Sequence, residues 1–196
     1  MTSSADPVFD FKKRITFAQS LFKRLGPYTF EFDGEPFDIV LTTTPPWGIN
    51  NPPLGLAHLA TFLKSRGLKP KVLDFNAYFY NRVAGELQML WHVENKNYWI
   101  NELTFDLLLD YLNPMIDEAV SIIARCDAPV VGFSVVDSKQ LITVQFIKRL
   151  KRLAPDKKII LGGPAAFSEA SRGIYMREVA DLIDGFVIGE GEQTLT

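Results

Sequence analysis

Residues 129–164 read PVVGFSVVDSKQLITVQFIKRLKRLAPDKKIILGGP. Pro129 to Ser134 is a short β-branched run, apolar enough to be a strand covered on both faces. Ile142, Phe146, Leu150 and Leu153 then recur at the spacing of one helix face. Lys158-Ile159-Ile160-Leu161 is a second apolar strand, and it runs into Gly162-Gly163-Pro164. A strand, a crossover of helical length and another buried strand make a β–α–β unit, whose two strands are parallel.

The same alternation extends in both directions. Upstream, Phe37 to Leu41 is a β-rich run that gives way to a segment holding Pro45, Pro46, Pro52 and Pro53, which excludes helix and central strand. Leu56, Leu59, Ala60 and Leu63 follow at helical spacing up to Gly67, and Lys71 to Phe75 is the next strand. Ala77 to Glu102 is rich in aromatics with poor periodicity, and Asn113-Pro114 restarts a helix carrying Met115, Ile116, Ala119 and Ile123 inward. Downstream, Ser168 to Val179 is helical and Gly185 to Ile188 is a fifth strand. At the N-terminus, Asp6-Pro7 starts a helix with Phe11, Ile15, Ala18, Phe22 and Leu25 on one face, stopped by Gly26-Pro27. The expected organisation is an N-terminal helical extension over 1–36 and an α/β domain over 37–196, with a helical insertion at about 77–125.

Composition agrees with a folded domain. The chain has 196 residues, 47% hydrophobic and 22% charged, which excludes a disordered or collagen-like polymer. Its net charge of −2, with scattered basic residues, gives no footprint for nucleic acid. The single cysteine, Cys126, cannot form an internal disulfide or a cysteine-rich metal site, and it reads as a small buried hydrophobe in a reducing, cytoplasmic compartment. The sequence offers no apolar run of membrane-spanning length, so no membrane partner is expected.

Ligands of open α/β sheets bind beyond the carboxyl ends of the strands. Here those ends are the Thr42–Pro53 loop, Ser134-Val135-Val136-Asp137-Ser138, Gly162-Gly163-Pro164 and Gly189-Glu190-Gly191-Glu192. Paired glycines let a flat ligand approach backbone N–H groups, and hydroxyls add neutral donors. Gly189-x-Gly191 lacks the following β–α–β unit that a dinucleotide fingerprint needs. Thr42-Thr43-Thr44 resembles a flavin-phosphate loop, but the prolines after it cannot donate N–H groups. A phospho-acceptor receiver needs carboxylates after the first strand, where this chain has threonines and prolines.

Four segments in order carry a resemblance: Pro45-Pro46 with Pro52-Pro53-Leu54-Gly55-Leu56, Val131-Gly132-Phe133-Ser134, Leu161-Gly162-Gly163-Pro164, and Asp184 to Leu195. Together the chain resembles the cobalamin-binding (B12-binding) domain that precedes the catalytic domain of B12-dependent radical S-adenosylmethionine enzymes. The resemblance covers roughly 37–75 and 128–196. It implies a flavodoxin-like, doubly wound parallel sheet of order 2-1-3-4-5, with the corrin ring over the carboxyl edge and the detached nucleotide tail descending into the sheet. By the resemblance, Ser134, Val135, Val136 and Ser138 would face the tail, Gly162, Gly163 and Pro164 would border it, and Gly189, Glu190 and Gly191 would close its end. Thr44, Pro45, Trp47 and Asn50 would lie at the corrin, with Trp47 or Asn50 on its lower face.

Two departures shape that expectation. The Thr42–Pro53 loop holds no histidine, so the corrinoid would bind base-off and His-off. A radical S-adenosylmethionine domain needs three cysteines for a [4Fe–4S] cluster, and that domain, with its S-adenosylmethionine, is absent from this chain, which ends where it would begin. It would be the domain's partner, and the parent enzyme would be a methyltransferase, cyclase or ring-modifying enzyme. The residues alone also admit an α/β interaction or scaffold module that binds no corrinoid and uses its N-terminal helix and aromatic lobe against a partner. His58 and His92 read as surface residues rather than metal ligands.

Overall fold

The computed structural model describes residues 34–196 apart from Asn51; the expected N-terminal helix lies outside these residues. Five parallel strands form one sheet: β1 (Ile39–Thr43), β2 (Pro70–Asp74), β3 (Val130–Ser134), β4 (Lys158–Gly162) and β5 (Gly185–Phe186). Their order is β2-β1-β3-β4-β5, so the chain is a doubly wound, flavodoxin-like α/β domain with a switch of direction between β1 and β3. The strands end in register. Thr43 is opposite both Asp74 and Ser134, and Ser134 is opposite Gly162, which puts these four residues on the last rung of the carboxyl edge.

Alternation along β1 divides the core. Ile39 and Leu41 face α1 (Leu54–Ser65), where they pack with Leu56, Ala60 and Leu63. Val40, with Val131, Phe133, Ile159 and Leu161, faces the opposite layer. That layer contains α2 (Phe75–Arg82), α3 (Asn97–Ile100), α4 (Glu102–Arg125), α5 (Gln140–Leu153) and α6 (Glu169–Glu178). The short α7 (Gly191–Thr194) returns to the α1 side, where Leu195 joins the smaller core. Among the described residues no helix is long and apolar enough to cross a membrane.

Several sequence expectations shift. β2 ends at Asp74 rather than Phe75, because Asp74 caps α2 and Phe75 is its first residue. β1 starts and ends two residues later than the apolar run suggests, because Thr42 and Thr43 continue it as buried strand residues; the Thr42 hydroxyl donates to Leu73 O at 2.8 Å. β5 stops at Phe186, short of Ile188. The helix expected to restart at Asn113-Pro114 is instead one helix, α4, running from Glu102 through Pro114 to Arg125. Proline in a helix interior costs about 3 kcal/mol. Here Asp110 and Pro114 both lie on the exposed side, while Phe105, Leu108, Leu112, Met115, Ile116, Ala119 and Ile123 form a buried stripe that continues on both sides of the break. The Arg149 guanidinium also donates to Asn113 O at 3.2 Å.

The poorly periodic insertion has a local explanation. Residues 85–91 and 93–95 are 3₁₀ turns and α3 is a single turn, so no long helical period exists to be read. Its aromatics are core: Trp91 and Trp99 are buried and meet edge to face at 5.2 Å. The Trp99 indole donates to Leu90 O at 2.8 Å.

Candidate functional site: a glycine-lined slot and a buried lysine

A slot of about 270 Å³ opens at the carboxyl ends of β3, β4 and β5, beneath α1. Its floor is strand backbone and its walls are apolar, from Leu41, Leu56, Leu59, Ile160, Val187 and Leu195. Of the residues the resemblance indicated, Ser134, Gly162, Gly163, Pro164, Gly189, Glu190 and Gly191 all line it. Glycine is required at its centre. Gly163 has φ +94° and ψ −178°, a region that side chains rarely adopt, and a Cβ there would lie 2.9 Å from Val135 O and 3.1 Å from Val135 N. A Cβ on Gly191 would meet the Leu59 side chain at 3.3 Å, whereas one on Gly162 would make only ordinary contact, with Val187 Cβ at 3.6 Å.

β5 and the segment after it are fastened at both ends. Asp184 accepts from Ile159 N at 2.8 Å, its own N–H donates to Ile159 O at 2.7 Å, and Lys158 lies 2.9 Å from its carboxylate. Burial works against that charge, but the Ile159 hydrogen bond and the two lysines Lys158 and Lys151 outweigh it and hold the carboxyl below its usual range. At the mouth, His58 Nδ1 on α1 is 2.9 Å from Glu192 Oε1 in α7. His58 therefore has a carboxylate partner on the protein surface, and among the described residues no group of three potential metal-ligating side chains occurs.

The remaining indicated residues lie elsewhere on the edge. Val135 is fully buried and hydrogen-bonds by its backbone to Gly162 O and from Ala165 N, so it supports Gly163 from behind. Val136 is half-buried outside the slot. Thr44 and Pro45 are buried, and the Thr44 hydroxyl pairs with Thr143 at 2.8 Å. Trp47 and Asn50 are exposed. Trp47 and Ser138 line a second, separate depression of about 210 Å³ with Trp91, His92 and Lys96. The structure thus divides the indicated set between two halves of one edge, with the slot on β3–β5 and the Trp47 loop on β1–β2.

Two residues that the sequence reading did not single out organise the Trp47 half. Asn76, buried at the start of α2, accepts from Trp47 N at 2.8 Å and from the Trp91 indole at 2.7 Å through Oδ1, and its Nδ2 donates to Trp47 O at 3.2 Å. One side chain so ties the proline-rich loop to the inserted lobe. Lys139, only 3% exposed, sends its ammonium to Thr43 Oγ1 and lies 5.0 Å from the centre of the Trp47 ring. Burial lowers its pKa to about 8, against a smaller opposing pull from Asp74. Among the described residues no carboxylate comes within ion-pair distance of it.

Around both halves the strand-end loops expose large apolar side chains: Trp47, Ile49 and Leu54 after β1, Phe167 after β4 and Ile188 after β5. Such a rim suits a large apolar-faced ligand or a covering domain. Comparison of the chain with protein-family models, with curated proteins and with solved structures returns no match in any of the three.

Proposed function

We propose that residues 37–196 form a corrinoid-binding domain, which holds a base-off cobalamin at the carboxyl edge of the sheet with its nucleotide tail in the glycine-lined slot. The observation that carries this reading is the slot itself. A flat heteroaromatic tail needs a narrow apolar cleft bordered by backbone, and six glycines (Gly55, Gly132, Gly162, Gly163, Gly189 and Gly191) line this one, with Ser134 beside them. The groups present fit such a tail: apolar walls for its faces, and hydroxyl and backbone groups for its polar edges. The Trp47 loop would lie at the corrin, and its lack of histidine matches a ring without a protein imidazole beneath it.

A corrinoid supplies cobalt-centred methyl-transfer and electron-transfer chemistry, and the protein's part is to bind and orient it. In this reading the slot residues fix the tail, Trp47 and the exposed apolar rim receive the ring, and a radical S-adenosylmethionine domain covers the upper face. The test is an ultraviolet–visible titration with hydroxocobalamin followed by desalting, with Gly162→Leu in parallel. Gly162 is the right position to block, because its neighbours tolerate a Cβ while Gly163 does not. Retention of a base-off spectrum by the parent chain and its loss in Gly162→Leu supports the reading. Equal failure of both to retain the corrinoid refutes it and favours an α/β interaction module whose apolar rim meets a protein.

A further inference from the structure

We propose that Lys139 is a positioning residue that places a fixed positive charge beneath the ligand-facing edge and thereby favours the more reduced state of the bound corrinoid. This inference rests on the corrinoid reading above. It starts from an anomaly, since burying an ammonium without a carboxylate partner is costly and folded proteins seldom keep one without a use. The Lys139 side chain is 3% exposed, donates to Thr43 Oγ1 and lies behind the Trp47 indole.

Its place in the sheet gives the charge a target. Thr43, which receives the ammonium, and Gly162, which lines the slot, share the last rung with one strand between them. Two strand spacings separate them, roughly 10 Å. A ring tethered through the slot and extending along the edge to the Trp47 loop would lie within the reach of this charge. The ammonium itself is shielded from water, with the Trp47 indole 5.0 Å away, which limits screening of its charge. The carboxylate of Asp74, which caps α2 by accepting from Ala77 N at 3.0 Å, opposes the burial of the ammonium but does not outweigh it.

The redox step balances simply. Cobalt(II) in the macrocycle gains one electron to become cobalt(I), the electron coming from a low-potential one-electron donor such as titanium(III), which becomes titanium(IV), and no proton is required. Gaining the electron removes one unit of positive charge from the ring, so a nearby ammonium disfavours the oxidised form more than the reduced one. If the metal were held roughly 10 Å from the ammonium, one charge at an effective dielectric near 20 would shift the equilibrium by about tenfold.

The experiment is spectroelectrochemical titration of the cobalamin-loaded chain, wild type against Lys139→Met and Lys139→Arg, with thermal melts to establish that each variant is folded. Lys139→Met is expected to retain cobalamin and to lower the cobalt(II)/cobalt(I) equilibrium constant about tenfold, a midpoint about 59 mV more negative. Lys139→Arg keeps the charge and is expected to stay within a factor of two of wild type. Retention by wild type and Lys139→Met with equal midpoints overturns the role of Lys139 and leaves corrinoid binding standing. Failure of wild type to retain cobalamin overturns the corrinoid reading and this inference with it.

Discussion

Replacing Gly163 by alanine tests the construction of the slot most directly. The backbone there has φ +94° and ψ −178°. That region is close to glycine-only, and placing an L side chain in it costs about 1–3 kcal/mol. The new Cβ would also lie 2.9 Å from Val135 O and 3.1 Å from Val135 N. Both are backbone atoms engaged in hydrogen bonds, Val135 N to Gly162 O at 2.8 Å and Ala165 N to Val135 O at 3.1 Å, so neither can yield without breaking the strand-end turn. Strain and contact together give a destabilisation of at least about 3 kcal/mol. For a domain of this size that corresponds to a melting temperature lower by roughly 6–12 °C.

Thermal denaturation followed by circular dichroism reads this directly, with Gly162→Ala as the internal control. Gly162 has no positive φ and its Cβ would meet Val187 Cβ at 3.6 Å, so its melt is expected within about 3 °C of wild type, the usual propensity cost of one such change. A Gly163→Ala protein melting as high as Gly162→Ala would refute the claim that backbone conformation and close approach, rather than ligand contact, demand glycine at 163.

Three further perturbations separate the contributions along the edge. Asn76→Ala removes the acceptor of the Trp91 indole and of Trp47 N, and a loss of about 2–3 kcal/mol in urea denaturation is expected, with a red-shifted tryptophan emission as the loop and lobe part; an unchanged emission maximum would contradict the clamp. Lys139→Met should stabilise the fold at pH 7. The buried amine titrates at about 8 when folded and near 10.5 when unfolded, so between those values the unfolded chain holds more protons and wild-type stability rises with pH. The burial cost relieved is about 3 kcal/mol, and the advantage of the methionine variant should shrink from pH 8 upward and level off near 10.5; a pH-independent difference would argue against a buried ammonium. His58→Ala should cost less than about 0.5 kcal/mol, because His58 is 75% exposed and its contact with Glu192 is solvated, and a larger loss of stability would show that α7 depends on it.

What the sequence made legible follows from how local each signal is. The five strands are short apolar runs separated by helical periods, so their order along the chain and the parallel sheet could be read directly, and the resemblance supplied the order across the sheet. Four of the slot glycines, Gly162, Gly163, Gly189 and Gly191, were legible because they sit in a doublet or at alternate positions at strand ends, where side-chain bulk would otherwise appear. The continuity of α4 was not legible, since only the buried stripe on either side of Pro114 reveals that the helix survives its proline. Lys139 was hidden for a related reason. It stands in Asp137-Ser138-Lys139-Gln140, a stretch polar enough to read as solvent-facing, and its burial arises from the Trp47 loop, which is distant in sequence. Asn76 likewise acquires its role only when the inserted lobe brings Trp91 back to it.

The last rung of the sheet fixes the two halves of the edge relative to each other. Asp74, Thr43, Ser134 and Gly162 occupy adjacent positions on β2, β1, β3 and β4. Moving across them, the chemistry changes from a carboxylate that caps α2, to a hydroxyl that holds a buried ammonium, to a hydroxyl and a glycine that line an apolar slot. Parallel register locks these four positions together, because a one-residue slip of any strand would turn its side chains to the opposite face. A ligand spanning the edge would therefore meet charge at one end and backbone at the other in a fixed relation. A small ligand confined to the slot would have no use for Lys139, whereas a ligand with a tail for the slot and a broad ring for the Trp47 loop would use both. Under the proposed corrinoid reading, the cost of keeping Lys139 buried therefore favours a ligand that spans the edge over one confined to the slot.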